Sequence, residues 1–346
     1  MHIDLMTGGG TWQHAGELAR TAESAGLSGM VFTEAGNVPW MVMTAAALAA
    51  PSLQLSTGIA VAFPRSPMVS AAIAWDMARN TGGRFRLGLG SQVQAHIERR
   101  YSSEFTPPGP RLRDYVLAVR ACFDAFAGRA KLDHRGPYYQ LTLLPPTWGP
   151  PPLPDGVAAP KVDISAVNPW MLRMAGEVAD GIHVHPFHSV PYLNEMLLPA
   201  VAEGTAKAGR AMADVSLLIP VFTIVGDTHE EQELTRAYVR QQVAFYGSTK
   251  PYAHQFDRLG YEGTSARINE RLKAGDMAGM AALITDEMLE HYAVTATWDE
   301  LAGKLIDRYQ GIAERVIMYC FETTLRANPD NVGKWREIAR AVRAAP

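Results

Sequence analysis

The sequence is poor in cysteine and has no long apolar run. Cys122 and Cys320 are the only cysteines among 346 residues. Each lies inside an apolar segment, which favours buried free thiols in a reducing compartment over a disulfide framework. No run of about 18 apolar residues is present, so we expect no membrane-spanning helix. The N-terminus also lacks the charged and apolar regions of a signal peptide, and we expect a cytoplasmic protein.

A strong excess of one charge is also missing. The chain has 32 Lys and Arg against 35 Asp and Glu, a formal net charge of -3. Binding to nucleic acid requires a concentrated basic surface, so nucleic acid is not the expected partner. Hydrophobic residues make up 47% and charged residues 19% of the chain, which excludes global disorder and permits a large core. We therefore expect a globular protein whose partner is a small molecule.

The sequence does contain eight short apolar runs, each followed by a helical pattern. They cover residues 2–8, 29–34, 53–63, 85–91, 161–166, 181–185, 215–225 and 315–321. Strands rich in Val, Ile, Leu and Met that alternate with helices are typical of a parallel sheet buried on both faces. Eight such units predict an α/β fold, the (β/α)8 TIM barrel, which places its chemistry at the C-terminal strand ends.

The intervals between the runs differ in length. Helical patterns cover about 11–25, 39–50, 67–80, 110–127, 169–179, 189–208, 228–246 and 329–344. Three segments, at about 92–109, 128–160 and 247–297, are longer than ordinary loops, and the last has helical patterns of its own. Insertions of this kind often form lids and substrate walls, although some extend an oligomer interface. We predict one barrel domain over residues 1–346 with these three insertions.

The helical segment 39–50 reads PWMVMTAAALAA and lacks a polar face. A helix that is apolar all round must be covered on both sides. The barrel supplies one cover, and either a second subunit or an insertion supplies the other. We favour a homodimer.

Several strand ends carry residues suited to binding a ligand. Gly58 interrupts a β-branched run, which indicates either a bulge or a barrel glycine beside a bulky neighbour. The sequence at 88–92, GLGSQ, resembles the start of a dinucleotide fingerprint but has no third glycine, so it gives no support for NAD. After the fifth run, Val167 and Asn168 keep their backbone N–H groups at the start of a helix, which is a natural phosphate site.

Two histidines end the sixth run. His183 and His185 are two residues apart and share one side of the strand, as metal ligands can. Only Glu34 and Glu322 are acidic residues at strand ends, so no convincing ligand set is completed. A metal-dependent barrel hydrolase remains an alternative. We interpret the two histidines as residues of the pocket or the barrel interior.

Taken together, the segments resemble the bacterial luciferase-like monooxygenase superfamily, and most closely its branch that uses the deazaflavin coenzyme F420. The resemblance spans nearly the whole chain. It rests on residues 32–34 with Pro39 and Trp40, on 55–59, on 84–91 and on the turn at 166–169. It implies a luciferase-like TIM barrel in which the coenzyme ring lies against a bulge in strand three. A non-prolyl cis peptide is common there, and by position it is the Gly58–Ile59 bond.

The resemblance also implies roles for individual residues. Arg65, Arg99 and Arg100 are either contacts for the anionic coenzyme tail or solvated surface charges. Trp40, His183 and His185 are expected in the substrate pocket. The residues expected at the coenzyme are Gly58, Ile59, Val61, Ser91, Gln92 and His96 at the ring and its side chain, with Val167 and Asn168 at the phosphate.

The chain departs from the sugar-phosphate branch of this superfamily. Those relatives carry an Asp-His pair after strand two and a catalytic Glu after strand four. Here residues 34–37 read EAGN, and Val93 takes the place of that Glu. Glu34 and His96 are the remaining candidates for catalytic proton transfer, because burial favours a neutral carboxyl and imidazole titrates near neutrality.

We therefore predict an oxidoreductase that transfers a hydride between coenzyme F420 and a small organic substrate. A second hypothesis is an FMN-dependent monooxygenase on the same barrel, which activates oxygen with reduced flavin. Further alternatives are the metal-dependent hydrolase and a protein that binds the coenzyme without catalysis.

Overall fold

Eight parallel strands close into a barrel in the computed structural model, which describes residues 1–345. The strands that close it, β1, β2, β3, β5, β8, β9, β10 and β12, pair in that order, and β12 pairs back with β1. All eight predicted strands are present, and the TIM barrel is confirmed. In chain order the strands are β1 (His2–Thr7), β2 (Gly29–Phe32), β3 (Gln54–Thr57), β4 (Ala60–Val61), β5 (Phe85–Gly90), β6 (His134–Arg135), β7 (Gln140–Leu141), β8 (Lys161–Ser165), β9 (Gly181–His183), β10 (Ser216–Val225), β11 (Ala293–Ala296) and β12 (Arg315–Met318).

The third predicted run is interrupted at Gly58. Strand β3 ends at Thr57, the Gly58–Ile59 peptide bond is cis, and β4 then resumes the pairing with β5. Gly58 is required here because a Cβ atom would overlap the Val31 side chain. The interruption and the cis bond lie at the positions that the sequence and its resemblance indicated.

The helices surround the barrel, and the predicted ones are present with ends that differ by up to two residues. Their bounds are α1 (Trp12–Ser24), α2 (Pro39–Ala49), α3 (Pro67–Thr81), α4 (Gln94–Arg99), α5 (Pro108–Phe126), α6 (Pro169–Val178), α7 (Val190–Tyr192), α8 (Leu198–Lys207), α9 (His229–Gly247), α10 (His254–Asp257), α11 (Thr264–Lys273), α12 (Met277–Ala282), α13 (Asp286–Tyr292), α14 (Trp298–Tyr309), α15 (Phe321–Ala327) and α16 (Asn331–Ala344). A π-helical turn, Leu193–Leu197, joins α7 to α8. No helix among the described residues has the length and apolar character needed to cross a membrane.

Helix α14 was not among the predicted helices. It lies directly before β12 and packs against α16 and β11. Its start carries a capping box, because the backbone N–H of Thr297 donates to Glu300 while the Thr297 side chain caps the first turn. The pattern Thr-x-x-Glu was therefore a sequence signal for this helix.

The insertions fold as separate structures on the barrel surface. In the segment 128–160, the hairpin of β6 and β7 is held by Asp114, which accepts hydrogen bonds from the His134 ring and from the backbone N–H groups of Tyr138 and Tyr139. In the segment 247–297, α10 to α13 pack with α9 and the end of β10 around a second apolar core, which includes Phe256. Both cysteines are buried free thiols.

Two ion pairs fill the lower interior of the barrel, which is the part toward the N-terminal ends of the strands. The Arg315 guanidinium on β12 donates to both carboxylate oxygens of Asp4 on β1, at 2.6 and 2.7 Å. On the opposite side, Arg86 on β5 donates to both oxygens of Asp163 on β8, at 2.7 Å each. All four side chains are buried, and each bidentate pair therefore satisfies charges that water cannot reach.

We expect the substitution Arg86→Met to lower the free energy of unfolding by about 3–5 kcal/mol, because it leaves the Asp163 carboxylate buried without its partner. Urea denaturation followed by circular dichroism measures this. The matched control is Arg129→Met, which removes one member of the exposed Arg129–Asp124 pair and is expected to cost less than about 1 kcal/mol. Equal losses in the two variants would contradict the prediction.

Candidate functional site

The predicted site residues lie in or just after the strands at the C-terminal end of the barrel. This end is called the mouth below. The residues follow or belong to β2 (Glu34, Trp40), the β3–β4 segment (Gly58, Ile59, Val61), β5 (Ser91, Gln92, His96), β8 (Val167, Asn168) and β9 (His183, His185). Because these strands run parallel, one ligand in the mouth can reach several of the segments.

Glu34 is held in an ion pair with Arg65. Both oxygens of its carboxylate accept hydrogen bonds from the guanidinium, and Oε2 also accepts from the backbone N–H of Val61 at 2.7 Å. Arg65 in turn donates to the Val61 carbonyl at 2.8 Å and lies 5.9 Å from the centre of the Trp40 ring. Glu34 therefore holds the β4 backbone both directly, at the Val61 N–H, and through Arg65, at the Val61 carbonyl. Its role in proton transfer stays a prediction.

Because of this ion pair Arg65 is not a solvated surface charge, and its contact with an anionic coenzyme tail stays a prediction. Arg100 donates to the backbone carbonyl of Ala35. Arg99 is exposed. His96 lies on the exposed side of α4, and its ring makes no hydrogen bond with the described residues.

The segment after β5 turns sharply into α4. Gln92 has a left-handed backbone, with φ of 58°, and its side-chain oxygen accepts a hydrogen bond from the Val93 N–H at 2.9 Å. Gly90 lies just before this turn. A Cβ atom on Gly90 would lie 2.6 Å from Ile59 Cδ1 and 2.8 Å from Ser165 Oγ. Strands β5 and β8 and the segment before β4 therefore approach one another closely at the mouth, where only glycine leaves room.

The turn after β8 presents backbone donors. Asn168 is the N-cap of α6, and its side chain accepts from the Met171 N–H at 3.0 Å. The backbone N–H groups of Val167 and Asn168 donate no hydrogen bond to any described residue. Tyr192 Oη donates to the Val167 carbonyl at 2.7 Å and fixes the turn. Two unpaired N–H groups at a helix start fit a phosphate oxygen.

The two histidines of the sixth predicted run, at β9, lie in different surroundings. His183 is in the barrel interior, where its Nε2 atom would be 2.7 Å from a Cβ on Gly88, and neither ring nitrogen has a hydrogen-bond partner. Burial lowers its pKa to about 4, although Asp163 at 3.9 Å opposes this. His183 therefore lies in the barrel interior, one of the two expected places, where its ring atoms would be 3.3 Å from a Cβ on Gly58. Its contact with substrate stays a prediction.

His185 lies higher, at the mouth itself. Its ring contacts the rings of Tyr246 and Tyr252, with centroid distances of 4.7 and 4.5 Å. Its Nδ1 atom accepts a hydrogen bond from the Phe187 N–H at 3.1 Å, and burial lowers its pKa to about 3. His185 is therefore neutral at pH 7. The described residues contain no group of three His, Cys, Asp or Glu side chains placed to bind a metal ion.

A group of four neighbouring tyrosines, two of which contact His185, was not predicted. We call Tyr238, Tyr246, Tyr252 and Tyr319 the tyrosine wall; all four are half-buried. The hydroxyl groups of Tyr246 and Tyr319 lie 2.8 Å apart. Tyr319 follows β12 at a strand end, and Tyr246 and Tyr252 flank the start of the 247–297 insertion. The sequence signal that could have identified these tyrosines is their position next to predicted strands and helices.

A histidine that contacts a glutamate also lies at the strand ends and was not predicted. His14, in the first turn of α1, places its Nε2 atom 3.1 Å from Glu322 Oε1 at the start of α15. Arg326 donates to the same carboxylate. The group follows β1 and β12, next to the Gly8–Gly10 loop, and Glu322 lies near Tyr238 of the tyrosine wall.

A cavity of about 590 Å³ lies at the other, N-terminal end of the barrel and is lined in part by His2, Arg84 and Arg343. In TIM barrels the N-terminal end contributes to stability and the C-terminal end to catalysis. The candidate site is therefore at the mouth.

Comparison with known proteins shows which family the chain resembles. The family model of luciferase-like monooxygenases matches residues 1–315. The uncharacterized protein Rv1360 of Mycobacterium tuberculosis is 36% identical over 307 residues, which cover 87% of this chain and 90% of that protein. The 5,10-methylenetetrahydromethanopterin reductase of Archaeoglobus fulgidus is 23% identical over 267 residues, covering 77% of this chain and 76% of the reductase.

Two solved structures have a similar fold. The coenzyme F420-dependent tetrahydromethanopterin reductase from Methanopyrus kandleri has a TM-score of 0.76 at 18% identity, covering 99% of this chain and 98% of the reductase. The oxygenating constituent of 3,6-diketocamphane monooxygenase from Pseudomonas putida, in complex with FMN, has a TM-score of 0.66 at 15% identity, covering 99% and 97%. One fold thus serves proteins named for F420 and for FMN.

We expect acidification to destabilise the protein through its buried histidines. Burial lowers the pKa of His183 and His188 to about 4 and that of His185 to about 3. Below the ordinary pKa of 6.5 the unfolded chain binds protons that the folded chain does not, so the free energy of unfolding falls as pH falls. Between pH 7.5 and 5.5 each of the three contributes a loss of about 1.4 kcal/mol.

Urea denaturation of His185→Gln at both pH values tests this. The variant should lose about 1.4 kcal/mol less than the unmodified protein over that interval. The matched control His229→Gln changes a fully exposed histidine of α9 and should leave the pH dependence unchanged. An identical pH dependence in all three proteins would contradict the assignment of a buried neutral His185.

Proposed function

Since the chain belongs to the luciferase-like monooxygenase family, we propose that it is an oxidoreductase that transfers a hydride between coenzyme F420 and a small organic substrate. Two observations at the mouth carry the proposal. The backbone N–H groups after β8 have no partner among the described residues, and the backbone segments at β4, β5 and β8 approach one another closely. The name of one structural neighbour, the coenzyme F420-dependent reductase from Methanopyrus kandleri, supports the same coenzyme.

The residues of the mouth have distinct parts in this proposal. The backbone N–H groups of Val167 and Asn168 bind the coenzyme phosphate. The segment from Gly58 to Val61, held by the Glu34–Arg65 pair, supports the ring, and Gly90 keeps space beside it. Trp40, whose indole N–H is buried without a partner, borders the same region. When bound, F420 supplies the hydride donor or acceptor at its C5 atom.

An FMN-dependent monooxygenase is the second candidate. FMN also combines a tricyclic ring with a phosphate, and one structural neighbour is a complex with FMN. The donors at the mouth fit both molecules. The choice between them therefore rests on a direct binding comparison.

We expect F420 to bind more tightly than FMN when each is titrated into the apoprotein and its fluorescence is followed. The isolated deazaflavin nucleus without a phosphate should bind at least about tenfold more weakly than F420, because charge-assisted hydrogen bonds to backbone N–H groups are lost. Preferential binding of FMN would replace the proposal by the monooxygenase. Binding of neither molecule would contradict both.

A pair of variants isolates the phosphate donor. Asn168→Pro removes the backbone N–H and the cap, while Asn168→Ala removes the cap alone. The Asn168 φ angle of -87° is close to the value of about -65° that proline requires, so the backbone is preserved. We expect Asn168→Pro to weaken F420 binding at least about fivefold relative to Asn168→Ala. Equal affinities would place the phosphate elsewhere.

We further propose that a second copy of the chain covers α2. One side of this helix packs against α1, and the other exposes Met41 and Leu48, with 58% and 83% of their surface open to solvent. An exposed helix of this composition has no polar face to hydrate. The second copy is therefore the proposed cover, as the sequence indicated.

The double substitution Met41→Glu and Leu48→Glu should convert the proposed homodimer into a monomer, because two carboxylates cannot be buried unpaired in an apolar interface. Size-exclusion chromatography with light scattering measures the mass. The control pair is Leu143→Glu and Trp148→Glu, at exposed positions of the 128–160 insertion. A monomeric unmodified protein would refute the proposal.

A further inference from the structure

The tyrosine wall and His185 form one surface on the half of the mouth opposite the proposed coenzyme site. His185 follows β9, Tyr319 follows β12, and Tyr246 ends α9, while Tyr252 lies in the short 3-10 helix Lys250–Tyr252. The proposed coenzyme residues belong to the β3–β4 segment, β5 and β8, which are neighbours in the barrel. The mouth is therefore divided into two halves with different residues.

The wall holds hydrogen-bond donors that the protein itself does not use. The hydroxyls of Tyr246 and Tyr319 are hydrogen-bonded to each other, and Tyr319 also interacts with the hydroxyl of Tyr238. When Tyr319 donates to Tyr246, the Tyr246 O–H has no partner among the described residues. His185 is neutral and accepts at Nδ1, so its proton is on Nε2, which has no hydrogen-bond partner among the described residues. Two donors at one surface match an oxygen atom with two lone pairs.

The wall carries no charge that selects an ion. Burial raises the pKa of Tyr246, Tyr252 and Tyr319, so all three are un-ionised at neutral pH. No described cation lies over a ring of the wall. Nearby charged groups are engaged elsewhere, since Arg258 pairs with Glu195 and Arg326 with Glu322, and Lys250 is exposed. An anionic substrate would find no buried counter-charge here.

We propose that His185, Tyr246 and Tyr319 bind the oxygen atom of an uncharged carbonyl compound, with the aromatic rings of the wall packed against its apolar body. The assignment rests on the proposed function only in taking the mouth as the place where substrate meets coenzyme. It makes the tyrosine pair, together with His185, the determinant of substrate class.

A matched pair of probes tests the oxygen contact. Cyclohexanone and methylenecyclohexane have nearly the same shape, but only the ketone accepts a hydrogen bond. Each is titrated into protein labelled with ¹³C at the tyrosine Cζ position, and the signals of Tyr246 and Tyr319 are assigned from their Phe variants. We expect the ketone to shift both signals and the hydrocarbon to shift neither.

The same titrations give the affinity ratio of ketone to hydrocarbon. In Tyr246→Phe and Tyr319→Phe this ratio should fall about fivefold, the loss of one net hydrogen bond. Tyr261→Phe, which removes a hydroxyl from the insertion away from the wall, should leave the ratio unchanged. An unchanged ratio in all variants, or no ketone-dependent shift in the unmodified protein, would overturn the proposal.

Titration of F420 into the same samples separates the two proposals. We expect Tyr246→Phe to bind F420 as tightly as the unmodified protein, because the coenzyme donors lie on the other half of the mouth. Loss of ketone recognition with retained F420 binding supports the wall as the substrate surface. Ketone recognition without any F420 binding would overturn the proposed function and leave the oxygen contact supported.

Discussion

The closed barrel depends on two buried ion pairs in its interior, each made of one Asp and one Arg. Asp4 with Arg315 joins β1 to β12, the two strands that close the barrel, and Arg86 with Asp163 joins β5 to β8 across from that seam. Removing one partner of such a pair is far more costly than removing an exposed pair, because the remaining charge has no water. Closure and register of the lower barrel therefore follow from these side chains together with the apolar faces around them.

The filled interior also explains why the site lies at one end. Above the ion pairs, His183 and the small apolar cluster of Val31, Leu218 and Ile317 occupy the space between the strands. A ligand cannot enter from below through this packing. The C-terminal strand ends remain, and there the chain has unpaired N–H groups, an anchored β4 backbone and a row of half-buried aromatic rings.

The strands were predictable because parallel strands buried on both faces leave continuous apolar runs in a sequence. The partners of individual side chains could not be predicted from the sequence. Glu34 and Arg65 are 31 residues apart and meet only because the ends of β2 and β4 are neighbours. The sequence places His183 and His185 on one side of a strand, but β9 ends at His183 and His185 follows it. A rise of about 3.3 Å per residue over these two residues separates an interior position from the mouth. The spacing of residues in the sequence predicts which side of a strand a side chain occupies. Its depth in the barrel follows only from the folded structure.

The two halves of the mouth differ in the kind of recognition they offer. The half on β4, β5 and β8 works through backbone donors and a fixed ion pair, which suit a large molecule with a phosphate. The half on β9 and β12 works through neutral hydroxyls and rings, whose donors cost little when paired with an oxygen and much when buried unpaired. Since the first half fits F420 and FMN alike, it constrains the coenzyme class but leaves the substrate open. We propose that the substrate is selected by the second half, where the chain has hydrogen-bond donors without a partner among the described residues.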